Sequence, residues 1–167
     1  MKKNTIEFED IIGRYFNLKI NNQNYRIYVE EAGSGIPLVC LHTAGSDGRQ
    51  FRHILNDKKI TDKYRVIVFD LPWHGKSNPP EGYEDLDYKL TTDFYKQIIM
   101  SFCNKYELVK PVIMGCSMGG RVVLHLALEH NEYFRAVIAL EGSDKLEPYY
   151  DLDWLYRPDV HGGMVQA

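Results

Sequence analysis

The apolar positions of this chain fall into short unbroken runs separated by stretches of helical period. Residues 37–41, 65–69, 111–114 and 136–140 are each apolar without strict alternation, as expected of strands buried on both faces. Ahead of them, residues 15–20 and 25–29 read as the two strands of a hairpin, with Asn21-Asn22-Gln23-Asn24 as its turn. Gly33-Ser34-Gly35 then breaks the chain. Thr91 or Thr92 can cap a helix that carries Phe94, Ile98, Ile99 and Phe102 on one side. A second helix is predicted over 118–130, with Val122, Val123, Leu126 and Ala127 inward. Strands alternating with helices predict an α/β fold, a mainly parallel twisted sheet with helices on both faces. Residues 1–145 form this core. After Ser143 the composition shifts to Tyr149, Tyr150, Trp154 and Tyr156, so 146–167 is expected to begin a cap or lid.

The chemistry sits at the end of the third apolar run. Gly115-Cys116-Ser117-Met118-Gly119 is G-x-S-x-G, directly after a strand and directly before a helix. That context defines a nucleophile elbow. The turn leaves no room for side chains two residues either side of the serine, and the helix directs its positive end at the hydroxyl. Acyl transfer at a serine also needs N–H donors aimed at the developing oxyanion. Met118 supplies one, and the loop His42-Thr43-Ala44-Gly45-Ser46-Asp47-Gly48 supplies the other, with Ala44 as the candidate. A rival motif, Gly75-Lys76-Ser77, resembles the end of a phosphate-binding P-loop. It fails because Asp70 stands where the first glycine belongs and Asn78-Pro79-Pro80 stops any following helix. Segment 70–77 therefore reads as a tight structural loop beside the active site, with Trp73 as a candidate pocket-lining residue.

The order and spacing of the hairpin, His42-Thr43-Ala44-Gly45, Asp70-Leu71-Pro72-Trp73-His74-Gly75-Lys76-Ser77 and Gly115-Cys116-Ser117-Met118-Gly119-Gly120 resemble the α/β-hydrolase superfamily, in its cap-bearing, cofactor-free branch. The resemblance covers roughly residues 13–145. It implies a serine hydrolase of the kind that includes esterases, lactonases, carbon–carbon bond hydrolases and thioesterases. One departure is Thr43, where many relatives carry glycine; a β-branched residue limits φ beside the oxyanion donor. The resemblance also implies the chain order serine, acid, histidine. Glu141, at the end of the fourth run, is the candidate acid; Asp144 is a second, and a structural carboxylate is the bland reading of Glu141. His42, His53 and His74 precede Ser117, and His42 is expected to brace the oxyanion loop. His125 and His130 share the following helix and should point away. His161 lies downstream with no strand before it, so the triad histidine is expected beyond this stretch. The last strands of the fold are expected to be missing as well. That would leave an apolar sheet edge for a partner chain or oligomer to cover. Thr43, Trp73 and Trp154 are the candidate substrate contacts.

Composition narrows the alternatives. Hydrophobic residues make up 44% and charged residues 26%, and the net charge is −3, which argues against nucleic acid or an anionic membrane as partner. The polar N-terminus lacks a signal-peptide apolar segment, and no apolar run reaches membrane-spanning length. Cys40, Cys103 and Cys116, odd in number and without CxxC spacing, fit buried reduced thiols in a cytoplasmic protein. Asp85/Asp87 and Asp151/Asp153 are acidic pairs without further ligands, so neither metal nor cofactor is expected. The sequence thus predicts a serine hydrolase acting on an ester, lactone or related carbonyl compound, with a small-molecule substrate. The rival readings are a non-catalytic binding protein on the same scaffold, or an acyltransferase or carbon–carbon bond hydrolase using the same serine.

Overall fold

Two asparagines turn the chain back on itself at the start of the sheet. The computed structural model describes residues 8–86 and 90–143. β1 (Ile12–Ile20) and β2 (Gln23–Ala32) pair antiparallel through Asn21 and Asn22, at φ 50 and 65. Asparagine tolerates this left-handed backbone, so two residues suffice. Gln23 and Asn24, expected in the turn, belong to the strand instead.

β3 (Ile36–Leu41), β4 (Tyr64–Asp70), β5 (Val112–Cys116) and β6 (Ala136–Leu140) follow. The sheet order is β1-β2-β4-β3-β5-β6, parallel from β4 to β6. β2 joins β4 antiparallel. This is the predicted α/β architecture.

Helices cover both faces. α3 (Thr92–Lys105) starts at Thr91, whose Oγ1 accepts the Phe94 N–H at 3.2 Å. It packs with α4 (Met118–Glu129) on one face, where Ile98, Ile99, Val122 and Leu126 meet Ile27, Val39, Ile67 and Ile113. Each fully buried aliphatic side chain of this kind contributes about 1.5–3 kcal/mol. The opposite face is covered by a segment the apolar pattern did not reveal: a 3-10 turn at Gly48–Phe51, then α1 (Arg52–Asn56) and α2 (Lys58–Thr61). These helices are too short to show a period. Asp47 and Asp57 define their starts by accepting the Arg49 and Lys59 N–H groups. Phe51 and Leu55 seal them against Cys40, Val66, Val68 and Met114.

β6 departs from the expectation of burial on both faces. Val137 and Ala139 pack toward α4, while Ile138 and Leu140 are 41% and 44% exposed on the other side. Among the described residues β6 is the outer strand, and no helix covers that side of it. Cys40 and Cys103 are buried free thiols whose desolvation pushes each pKa up to about 12, whereas Cys116 is only half-buried. Among the described residues, no helix is long and apolar enough to cross a membrane. The expected cap segment 146–167, with Trp154, and also Asp144 and His161, lie outside the described residues.

The loop after β4 is held from within. One carboxylate oxygen of buried Asp70 accepts the Gly48 N–H at 2.7 Å and the other accepts the Lys76 N–H at 2.7 Å. The Ser77 hydroxyl donates to the Asp70 carbonyl and accepts the Tyr28 N–H at 2.8 Å. Segment 70–77 is therefore the structural loop predicted from sequence, with no helix directly after it. Asp70→Ala would leave two N–H groups without a charged acceptor. We expect a loss of about 2–4 kcal/mol in urea unfolding. Lys76→Ala, which keeps its N–H, should cost under about 1 kcal/mol.

Candidate active site

Ser117 stands between β5 and α4 with φ 51 and ψ −109, a backbone conformation outside the allowed regions for an L-residue. Such strain costs on the order of 1–3 kcal/mol and must be held by the surroundings. The Ser117 N–H donates to the Leu140 carbonyl at 2.8 Å, which extends the β5–β6 ladder into the turn. Its carbonyl accepts the Arg121 N–H at 2.8 Å and so begins α4. The close approach depends on hydrogen-only side chains. A Cβ on Gly115 would lie 2.2 Å from the Gly119 oxygen, and one on Gly119 would lie 2.4 Å from the Leu41 oxygen. The elbow is thereby pressed against the end of β3, where the loop from His42 to Gly48 begins. Ser117 and Met118 are half-buried, and Met118 carries the first N–H of α4. That N–H lies in the first helical turn, which has no intrahelical acceptor.

His42 fixes the loop after β3. Its imidazole is fully buried, and Nε2 accepts the Leu71 N–H at 3.0 Å. Nδ1 therefore carries the proton and donates to the Thr43 carbonyl at 2.7 Å. The ring also lies against that of His74, with centroids 4.8 Å apart. His42 thus ties the β3 loop to the β4 loop, the bracing role expected of it. Thr43 is absent from the positive-φ residues, so its β-branched side chain sits without backbone strain. Its N–H donates to Gln50 Oε1 at 2.9 Å. Gln50 was missed in the sequence because a polar residue in a short turn carries no signal of such a role. Among the described residues, no hydrogen bond engages the Ala44 N–H, and Ala44 is exposed.

The remaining candidates are placed as follows. Glu141 directly follows Leu140, whose carbonyl holds Ser117, and its exposed side chain stands on a residue at φ 51. Arg121 was not anticipated either: it donates to Thr92 Oγ1 at 3.2 Å and to the Ser143 carbonyl at 3.5 Å, joining α3, α4 and the segment after β6. Trp73 and His74 line a groove with Gly45, Ser46, Gln50 and Arg52. No described histidine hydrogen-bonds the Ser117 hydroxyl. His125 lies on α4 and His130 is its C-cap, both beyond the elbow in the chain. No group of described residues could hold a metal ion.

A mainly parallel sheet with a strained serine at the carboxyl end of one strand, covered by the positive end of a helix, is the architecture of a hydrolase scaffold. The family profile described as alpha/beta hydrolase fold matches residues 36–160, and the chain belongs to that family. It is 29% identical over 145 residues to the uncharacterized hydrolase YugF of Bacillus subtilis, covering 78% of this chain and 50% of that protein. It is 29% identical over 128 residues to the pimeloyl-[acyl-carrier protein] methyl ester esterase of Legionella pneumophila, covering 77% and 46%. Among solved structures, the N-acyl homoserine lactonase AidH superposes with a TM-score of 0.64 at 28% identity, covering 77% of this chain and 45% of that one. A hydrolase from Pseudomonas aeruginosa superposes with a TM-score of 0.69 at 20% identity, covering 92% and 53%, a likeness of fold. The chain spans about half the length of these relatives.

Burial pushes the His42 pKa below the ordinary imidazole value, against the opposing Thr43 hydrogen bond. The unfolded chain then takes up the proton first as pH falls below about 6.5, so the native state loses stability in acid. That contribution is complete above the unfolded value and is lost down toward the folded one. Urea unfolding at pH 7.5 and 5.5 is expected to show a larger acid loss in the wild type than in His42→Gln.

Proposed function

We propose that the protein is a serine hydrolase acting on an ester, lactone or related carbonyl compound, with Ser117 as nucleophile. The observation that carries this reading is the Ser117 backbone, φ 51 and ψ −109 between a strand and a helix. Strain of that kind is kept where the side chain it presents is needed. In the reaction, the Ser117 Oγ adds to the substrate carbonyl carbon while a histidine outside the described residues takes its proton. The Met118 and Ala44 N–H groups receive the oxyanion. The assignment of Ala44 is supported by its unengaged N–H, because the neighbouring Thr43 N–H is held by Gln50. Collapse of the tetrahedral intermediate expels the alcohol, which takes the proton from the histidine; water then releases the acid by the same steps in reverse order. Glu141 is the candidate carboxylate that orients the histidine, supported by its place one residue beyond the strand end that holds Ser117. No metal or cofactor enters this scheme. The open edge of β6 is read as covered in the whole protein by further strands or by a partner chain.

The names of the relatives, a methyl ester esterase and a lactonase, agree with carbonyl substrates of this class. In the full-length polypeptide, Ser117→Ala should lower kcat for a 4-nitrophenyl ester by at least about 10³-fold and shift the melting temperature by less than about 2 °C. Turnover and melting measured side by side test it; hydrolysis at the wild-type rate by a folded variant would remove Ser117 from the role.

A further inference from the structure

A cleft of about 280 Å³ lies away from the elbow, where β1 meets the C-terminal turn of α3. Its lining takes in five consecutive β1 residues, 14–18. Successive side chains of a strand point to opposite faces, so the cleft runs along the backbone edge of β1. Among the described residues β1 is the outer strand on this side. The two-residue hairpin makes Ile20 and Gln23 a hydrogen-bonded pair, and the pairs alternate from there. Tyr15 and Asn17 therefore turn their N–H and C=O groups outward to the cleft.

The floor is aromatic and held in place. The Phe16 ring lies 4.7 Å from that of Phe102, and the Phe102 ring 4.9 Å from that of Tyr106, between centroids. The Arg65 guanidinium stacks on the Tyr106 ring at 4.4 Å, and the Tyr106 hydroxyl donates to Glu31 at 3.0 Å. The charge around this floor is one-sided. Buried Glu31 is shared by Arg14 at 3.0 Å and Arg65 at 2.6 Å, which leaves one positive charge in excess. Arg14 uses Nη1 for Glu31 and Tyr106, and its Nε and Nη2 make no hydrogen bond among the described residues. Lys105 lines the same cleft and has no ion-pair partner among the described residues. No described acidic side chain is in the lining. The carbonyl end of α3 disfavours an anion, and Lys105 in the last turn offsets it.

We propose that this cleft binds an aromatic carboxylate, its ring on Phe16, Phe102 and Tyr106 and its carboxylate on Arg14 and Lys105. The volume lies at the small end for ligand clefts and suits one or two rings. A second copy of β1 fits less well, because Arg14, Lys19 and Lys105 would face like charges. The site shares no lining residue with the elbow and stands independently of the role given to Ser117.

The probe is 4-benzoylbenzoate, an aromatic carboxylate that crosslinks to nearby C–H bonds under ultraviolet light. On the full-length polypeptide, peptide mass spectrometry should place the main adduct within residues 14–18 or 102–106. In equilibrium dialysis the uncharged 4-benzoylbenzamide should bind about tenfold more weakly than the acid. Lys105→Gln should weaken the acid about threefold, and Arg14→Gln with Lys105→Gln about tenfold, while amide binding holds within about twofold. Melting of Lys105→Gln should stay within about 2 °C of the wild type, because the side chain is exposed and unpaired. A main adduct in other segments overturns the proposal, and so does acid binding unchanged by Lys105→Gln. Should the double variant fail to fold, Lys105→Gln and the comparison of acid with amide decide the matter.

Discussion

Three backbones converge at the Ser117 turn, and only hydrogen fits between them. A Cβ on Gly119 would lie 2.4 Å from the Leu41 oxygen and 2.9 Å from the His42 oxygen, and one on Gly120 would lie 2.7 Å from the Leu140 oxygen. Any larger side chain would lift α4 off the ends of β3 and β6. The N–H of Ser117 would then lose the Leu140 carbonyl, and the strained φ would have nothing to hold it. The parallel pairing of Leu41 with Gly115 and of Cys116 with Leu140 sets this convergence. The sheet register and the geometry of the serine are thus one constraint seen at two scales.

Around that point, buried polar groups hold the loops that the sheet only brings near. His42 spans from the β3 loop to the β4 loop, and Asp70 spans from the β4 loop to the turn before α1. Both act on backbone groups, so they fix chain paths rather than side-chain positions. Gln50 adds a third tie by occupying the Thr43 N–H, beside the exposed Ala44.

Much of this was legible in the residues. The strands were visible because parallel strands in a covered sheet read as continuous apolar runs. The elbow was visible because its glycines are required by contact, and the cap of α3 because Thr91 precedes an amphipathic period. What stayed hidden has physical causes. α1 and α2 are shorter than two turns and show no period. Apolar content cannot report whether Ile138 and Leu140 are covered, since covering depends on elements elsewhere in the chain. Thr43 is not among the positive-φ residues, and the chain takes its left-handed step at Gly45, φ 68. The positive φ at Trp73 was invisible, because tryptophan advertises nothing about it.

The central claim is that the strained elbow presents a reactive nucleophile. Labelling the full-length polypeptide with a fluorophosphonate, followed by peptide mass spectrometry, tests it most directly. The account predicts one phosphonate adduct per chain on the Ser117 hydroxyl, lost when the protein is unfolded in urea before labelling. An adduct on a different residue, or labelling of Ser117 no faster in the folded than in the unfolded chain, would contradict it.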